Sequence, residues 1–498
     1  MSVLLMLAIG ATPSARGQDL DSAAKETVYL LNRALTTRDG RERDRLLGAV
    51  RRLRDPRAAG LYRHLSGMSD PFRQSHGLLG MVEAGLTPSL TLDTVLSVED
   101  DVAQAELVQA ALNDGLIDAK VAAQWIGSSR LTARARVELA RYLLSHGHSV
   151  DPAVLRDPSQ SDNKRLRVLA NVLLVQAGDA SGLNYLRTLA GATDAESQSL
   201  TVEALNLASE LNLDKLGPWA FEVSQKTDID QRIAQPALAI ALKLRAPQAA
   251  SVWQRTFKEE TDGAIQMRLA MYALNAAPFI DAKVFDVLLA SPDATIQMLG
   301  RAGRAIALKQ NIDEAVLEIV QLNHLPFSAW ALAYAHEHAS AQDAQAILLG
   351  LILAFETAPR NARTLNAHLD LVERAVSLLY DRDPEGAIPL LRAVITKPDN
   401  EPLFVRRVLT GLFNCEKPGA YRVLEGLPAF EDRAARLMAL VLLTMSDQPM
   451  TQDQLQEVSL LVRGGGGLLD QARLQVGWVY LKRTNQLDAA VTRAISGN

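Results

Sequence analysis

One apolar stripe with helical spacing recurs along this chain, and its clearest copy is residues 166–177, LRVLANVLLVQA. The apolar side chains lie at steps of i, i+4, i+7, i+8 and i+11, which places them on one face of an α-helix. The same steps begin again at Leu200, Ile233 and Ile265, so the copies lie 34, 33 and 32 residues apart. Because each such face must be buried against neighbouring helices, this period predicts an all-α solenoid of stacked antiparallel helix pairs.

The turns between the predicted helices support this period. Residues 262–267 (DGAIQM) and 293–298 (DATIQM) match at four of six positions and lie 31 residues apart. In both segments the aspartate precedes the second helix of a pair, where its carboxylate can cap free N–H groups. The copy that begins at Ile296 is the weakest, because Gly300 and Gly303 replace bulky side chains. No alternating Val, Ile and Thr pattern with hairpin turns competes with the helical pattern.

Composition limits the classes of function. Of the 498 residues, 48% are apolar and 22% charged, as in an ordinary folded protein. A net charge of −5 argues against general nucleic-acid binding, which needs a basic surface. Aromatic residues are only 5% of the chain, which disfavours sugar-binding clefts and base-stacking surfaces. The single cysteine, Cys415, leaves the redox compartment open.

The N-terminus predicts export. Residues 3–11, VLLMLAIGA, form an apolar run that is too short to cross a bilayer but has the length of a secretory signal core. Ala15 and Gly17 place small residues before a possible cleavage site at Gln18, although no basic residue precedes the run. We therefore expect a signal peptide at residues 1–17 and a periplasmic or extracellular location. The alternative is a cytoplasmic protein whose first helix begins with an apolar segment.

The repeats resemble the HEAT-repeat family, and in particular its phycobilisome-lyase-like branch. The resemblance covers roughly residues 131–445 and implies a right-handed α-solenoid with a concave surface for protein partners and no catalytic residues. It is carried by Leu173, Ala177, Gly178, Asp179, Gly182, Leu183, Leu186, Arg187, Thr188 and Leu189.

The C-terminus is similar instead to one tetratricopeptide helix pair. This similarity rests on Val476, Gly477, Tyr480 and Ala489, and coincidence is the alternative. We accordingly predict degenerate repeats and an N-terminal cap at 18–130, HEAT-like repeats at 131–446 and a C-terminal helical cap at 447–498.

Residues 33–63 hold the strongest local charge in the chain. Ten arginines stand against four acidic residues, a net charge of +6. Arginine forks suit carboxylates and phosphates, so this segment is a candidate surface for an anionic partner. The alternative is a solvated helix face with local pairs such as Arg41–Asp44 and Glu42–Arg45. The candidate residues are Arg41, Arg43, Arg45, Arg51, Arg52, Arg54 and Arg57.

No motif predicts catalysis, a cofactor or a metal ion. His336 and His338 would point about 200° apart on a helix and could not hold one ion together. Gly464–Gly467 lacks the Gly-Lys-Ser/Thr ending of a phosphate loop, so a flexible connection is the better interpretation. The five tryptophans are interpreted as helix-packing anchors, and they are Trp125, Trp219, Trp253, Trp330 and Trp478.

These features favour a non-catalytic scaffold that binds an unidentified protein partner on a broad helical surface, with no nucleic acid and no transmembrane segment. Two alternatives stay open. One is a glycan-active enzyme built on an α/α toroid, which would need facing carboxylates and an aromatic-lined cleft. The other is an adaptor for anionic partners or membrane surfaces that uses the arginine-rich segment.

Overall fold

The computed structural model describes residues 20–227, 229–355, 364–446, 448–464 and 468–497. The predicted signal peptide at residues 1–17 lies outside these ranges, as do three of the four glycines of the predicted flexible connection. Within the described ranges the chain is α-helical, with short 3-10 segments and no β-strand. None of the described helices is long and apolar enough to cross a membrane.

Twenty-eight α-helices are found in the described residues. In chain order they are Ser22–Thr36 (α1), Gly40–Arg52 (α2), Ala59–Ser66 (α3), Pro71–Glu83 (α4), Leu92–Leu96 (α5), Asp101–Asn113 (α6), Ala119–Trp125 (α7), Ala133–Ser145 (α8), Ala153–Arg156 (α9), Lys164–Ala177 (α10), Ala180–Gly191 (α11), Ala195–Glu210 (α12), Gly217–Ser224 (α13), Gln231–Lys243 (α14), Ala249–Glu259 (α15), Gly263–Ala276 (α16), Asp286–Leu289 (α17), Ala294–Leu308 (α18), Ile312–Val320 (α19), Leu325–Glu337 (α20), Ala341–Ala354 (α21), Leu365–Arg382 (α22), Pro384–Ile395 (α23), Pro402–Phe413 (α24), Arg433–Thr444 (α25), Gln452–Val462 (α26), Asp470–Arg483 (α27) and Leu487–Ser496 (α28).

The helices form two compact units. Unit 1 contains both ends of the chain, namely residues up to Ala103 and residues from Pro428 onward. Unit 2 comprises Gln104–Leu427. The predicted boundaries at residues 130 and 446 separate different kinds of repeat, whereas these two units are separated by their internal contacts. The predicted boundaries therefore stay predictions.

Unit 2 is a solenoid of helix pairs. The second helices of successive pairs (α8, α10, α12, α14, α16 and α18) contact one another in sequence, and each first helix packs against its own partner. The predicted stripe of α10 faces the interior, since Ala170 and Leu173 are fully buried. Ala204 and Ala237 take the same buried place in α12 and α14. The predicted all-α fold of antiparallel helix pairs is thus confirmed.

The repeated turn residues have local roles. Asp262 and Asp293 each accept two backbone N–H groups from the first turn of the following helix. The glutamines of the same motif, Gln266 and Gln297, each donate to a carbonyl oxygen six residues earlier at 2.7 Å. Earlier in the chain, Gly178 ends α10 in the left-handed region at φ 101°, which a side chain would disfavour. The repeat motif therefore encodes turn geometry rather than a ligand site.

The weak copy at α18 reflects close packing. A Cβ atom on Gly303 would lie 2.1 Å from Cε1 of Phe285, and one on Gly300 would lie 2.9 Å from Cβ of Leu288. These two glycines let the preceding segment approach the helix closely, so the missing bulk is filled by residues from outside it.

Unit 1 joins the two ends of the chain. Helix α1 packs against α26, α27 and α28, and α2 packs against α27. A Cβ atom on Gly477 would lie 2.3 Å from Oγ1 of Thr27, so this glycine allows α27 to lie against α1. Gly477 is one of the residues that resemble a tetratricopeptide pair. The close contact with α1 explains why glycine is needed at this position.

Candidate binding pocket and arginine surface

The C-terminal halves of α12, α14, α16 and α20 in unit 2 surround a pocket of about 320 Å³. Its apolar lining includes the buried side chains of Ile240, Leu274 and Trp330. Polar side chains stand beside them, so the pocket combines an apolar lining with groups that can form hydrogen bonds, as small-ligand and side-chain pockets do. The lining residues are Asn206, Ser209, Pro236, Ala239, Ile240, Lys243, Tyr272, Leu274, Asn275, Pro278, Trp330, Ala333, Tyr334, Glu337 and His338.

Helix α20 brings three aromatic rings to the pocket. Trp330 and Tyr334 lie on one face of α20, and His338, the residue directly after its last turn, continues the same interval of four residues. The first two rings stack with centroids 5.6 Å apart, and the last two centroids lie 6.1 Å apart. Phe279 meets the ring of His338 edge-on at 5.3 Å. One wall of the pocket is therefore aromatic.

Lys243 is the cationic group of the pocket. Its ammonium donates to the backbone carbonyl oxygen of Ser209 at 2.8 Å, where it caps the C-terminal end of α12. Nζ also lies 5.5 Å from the ring centroid of Phe279. Burial lowers the pKa of the Lys243 ammonium, and the negative charges of Glu337 and Glu210 oppose that shift.

The cap formed by Lys243 recurs along unit 2. Nζ of Lys215 donates to the carbonyl oxygen of Gln176 at 2.7 Å, and Nζ of Lys226 donates to that of Ala190 at 2.9 Å. Neither of these two lysines lines the pocket. Lysine side chains from one helix pair thus cap the C-terminal ends of helices in the preceding pair at several places. Lys243 differs because it also lines the pocket.

The titratable groups of the pocket suit binding better than catalysis. Burial lowers the pKa of His338 further below neutrality, so its ring is uncharged at pH 7. Burial raises the pKa of the Tyr334 hydroxyl to about 12, so it stays protonated. Glu337 supplies the carboxylate among the described lining residues, where hydrolysis of a glycoside requires two.

The described residues contain no cluster of three or more His, Cys, Asp or Glu side chains placed to hold a metal ion. His336 is not among the residues that line the pocket, whereas His338 is. Cys415 is half-buried, and burial raises the pKa of its thiol, which keeps the sulfur protonated.

The seven candidate arginines of unit 1 divide into two groups. Arg43 and Arg51 are half-buried: Arg43 pairs with Asp44 at 2.8 Å and lies over the ring of Phe72, and Arg51 pairs with Glu83. Five are exposed, namely Arg41, Arg45, Arg52, Arg54 and Arg57.

Three of the exposed arginines share one stripe of α2. Arg41, Arg45 and Arg52 stand at i, i+4 and i+11, opposite the buried face that contains Leu47 and Val50. The local pairs differ from those the sequence suggests, because Glu42 pairs with Arg33 on α1 and Asp44 pairs with Arg43. The side chains of Arg41 and Arg45 therefore extend to solvent, and an anionic partner there stays a prediction.

The pocket is the feature that sequence reasoning missed. The spacing of Trp330, Tyr334 and His338 predicts an aromatic face on this helix. The same spacing also occurs where aromatic residues pack in a protein core, so it does not identify a pocket. Nothing in the sequence distinguishes Lys243 from Lys215, because both are lysines near a helix boundary. All five tryptophans are buried, as predicted, yet Trp330 also borders the pocket.

No protein-family model matches this chain, and no curated protein matches it. Among solved structures, the chain is similar to the karyopherin in "Crystal structure of the karyopherin Kap121p bound to the extreme C-terminus of the protein phosphatase Cdc14p". The similarity has 12% sequence identity and a TM-score of 0.36, and it covers 95% of this chain and 63% of that chain. At that score the likeness carries no argument, and the fold assignment rests on the helix contacts described above.

Proposed function

We propose that this protein is a non-catalytic scaffold whose row of second helices in unit 2 binds a protein partner. The pocket between α12, α14, α16 and α20 supports this proposal most directly, because buried apolar side chains and exposed polar ones meet there on the helix row. Pockets of this kind hold the anchoring side chains of a partner, while the surrounding helices supply contact area.

The enzyme alternative is less well supported. A glycosidase needs two facing carboxylates, and the described residues of the pocket supply one, Glu337, whose side chain is 60% exposed. Binding therefore requires fewer assumptions than turnover.

A second binding role is favoured by one observation, the exposed arginines of unit 1. Arg41, Arg45 and Arg52 present guanidinium groups along one helix face, and Arg54 and Arg57 follow directly. We propose that an anionic partner or membrane surface that docked there would be held mainly by electrostatic attraction, so its binding would weaken steeply with salt.

Two finer proposals are supported by the sequence alone. We propose that the protein is exported, on the strength of the apolar run at residues 3–11. We also propose that its repeats belong to the phycobilisome-lyase-like branch of the HEAT family, on the strength of the Gly178–Asp179 turn and the residues around it.

The scaffold proposal is tested by site-specific crosslinking in the native cell. A photo-crosslinking amino acid replaces Ala333, which is exposed at the pocket, or Ser251, which is exposed on α15 and serves as the control. We expect a discrete crosslinked protein from position 333 only.

The identified protein is then purified and its affinity measured for the wild type, Ala333→Arg and Ser251→Arg. An arginine at position 333 narrows the pocket entrance and should weaken binding by about tenfold or more, whereas arginine at position 251 should not. Unchanged affinity of Ala333→Arg, or a measurable turnover abolished by Glu337→Gln, would contradict the scaffold proposal.

A further inference from the structure

We infer that the pocket receives the carboxylate of an acidic side chain from a bound polypeptide, with the ammonium of Lys243 as its principal partner. This inference rests on the proposed scaffold function and specifies the chemistry of its anchor.

The first argument is the incomplete pairing of Lys243. Its ammonium has three donors. The carbonyl oxygen of Ser209 takes one at 2.8 Å, and Oγ of the same serine lies at a long 3.4 Å. Within the described part of the chain, no carboxylate oxygen lies within 4.0 Å of this nitrogen. A half-buried cation bonded to neutral oxygens retains donor capacity and has no carboxylate in direct contact.

The second argument is electrostatic. Burial lowers the pKa of Lys243 even though Glu337 and Glu210 act in the opposite direction, so the surroundings compensate its charge only in part. An entering carboxylate would supply the missing compensation. The ammonium of Lys243 is already partly desolvated in the free protein. A carboxylate that binds it therefore adds only a small further desolvation penalty for this group.

The remaining lining suits a short acidic side chain. The buried side chains of Ile240 and Trp330 offer apolar contact to its methylene groups. The exposed amides of Asn206 and Asn275 can donate further hydrogen bonds at the entrance. The pocket volume of about 320 Å³ accommodates one such side chain with part of its backbone.

Three features oppose an anion, and none is decisive. Glu337 and Glu210 repel another carboxylate, but the side chain of Glu337 is 60% exposed, Glu210 is exposed as well, and water screens both charges. The C-terminal end of α12 carries a partial negative charge, but Lys243 already bonds to it. A cationic ligand would meet the ammonium of Lys243 itself, which already lies over the ring of Phe279. The charge pattern therefore favours an acid of modest affinity.

The test uses the purified full chain and two blocked tripeptides, Ac-Ala-Glu-Ala-NH2 and Ac-Ala-Gln-Ala-NH2, with sodium acetate as a third probe. Affinities are measured by ligand-observed NMR titration at constant ionic strength. We expect the glutamate peptide to bind at least about tenfold more tightly than either other probe, because only it combines the charge with polypeptide contacts.

The matched variants are Lys243→Met and Lys215→Met. Both remove an ammonium that caps a preceding helix, but only Lys243 lines the pocket. Both should therefore lose similar stability, which circular dichroism melting checks, whereas only Lys243→Met should lose the preference for the glutamate peptide.

The inference is overturned if the glutamine peptide binds as well as the glutamate peptide, or if Lys243→Met keeps the preference. It is also overturned if acetate alone matches the glutamate peptide, since the ligand would then be a free small carboxylate. Affinity of the crosslinked partner for Lys243→Met separates the two proposals: retained affinity preserves the scaffold function and removes only the carboxylate anchor.

Discussion

The carboxylate of Asp55 shows how single residues of unit 1 depend on partners far away in the chain. It lies just after α2 and accepts hydrogen bonds from its neighbour Arg57, from Nε1 of Trp478 at 3.1 Å and from Nζ of Lys482 at 2.9 Å. Although burial alone would raise the pKa of Asp55, these donors lower it to about 2. The charged form is thus favoured in the folded protein.

Replacement of Asp55 by asparagine should destabilise unit 1 and remove a pH dependence. Because the pKa of Asp55 falls from 3.8 to about 2 on folding, its stabilisation is complete above pH 4 and lost as pH falls towards 2. After allowance for solvent screening, we expect Asp55→Asn to lower the free energy of unfolding by about 1–2 kcal/mol at pH 7.

Urea unfolding followed by fluorescence at pH 7, 4 and 2.5 measures this difference. The gap between wild type and Asp55→Asn should be the same at pH 7 and pH 4, apart from a few tenths of a kcal/mol, and should narrow at pH 2.5. A gap that stays constant down to pH 2.5 would show that the carboxylate does not carry the effect.

At the scale of single elements, helix composition reflects the neighbours of each helix as well as its own propensity. Glycine weakens a helix, yet α2 and α18 both contain it in their interiors. The surroundings of these glycines differ: a Cβ atom on Gly48 of α2 would meet nothing within 4 Å, whereas one on Gly303 of α18 would collide with Phe285.

The two glycines therefore make a matched pair. We expect Gly48→Ala to stabilise the protein by about 0.5–1 kcal/mol, because alanine loses less backbone entropy on folding. Gly303→Ala should instead destabilise it by about 1–3 kcal/mol, because Phe285 must move. Chemical unfolding with a probe in each unit measures both values, and a stabilising Gly303→Ala would contradict the close contact.

Element positions were predictable because their causes are local. The first helix begins at Ser22 because the carboxylate of Asp21 accepts the backbone N–H groups of Ala23 and Ala24. The aspartates at 262 and 293 cap the predicted helices because the bond spans only two or three residues. The predicted pairs of Arg41 and Arg45 did not form, since Glu42 pairs with Arg33 on α1 and Asp44 pairs with its neighbour Arg43.

For the molecule as a whole, the decisive feature of unit 1 is that both chain ends build it. Tyr480 and Gln486 each donate to Oδ2 of Asp21 at 2.7 Å, and Arg33 on α1 pairs with Asp470 on α27 at 2.8 Å. The buried core there draws side chains from α1 and α2 and from α27 and α28 together. Neither end covers its own apolar face.

Removal of the last two helices should therefore unfold the other end of the chain. In a chain truncated after Gly464, amides of α1 should lose hydrogen-exchange protection because Leu30, Leu31 and Ala34 lose part of their cover. Amides of α14 in unit 2 serve as the internal reference. Protection of α1 that survives the truncation would show that the N-terminal helices form their core alone.

The helical period, the helix caps and the repeat fold follow from interactions that span one to about eleven positions, so the order of residues along the chain reveals them. The pocket and the joined ends of unit 1 do not follow in this way. Lys243 and His338 line the same pocket only because the helix pairs that separate them in the sequence stack on one another. Asp55 likewise contacts Trp478 across 423 positions of the chain. Such contacts depend on the summed geometry of many helix packings, which no short pattern encodes.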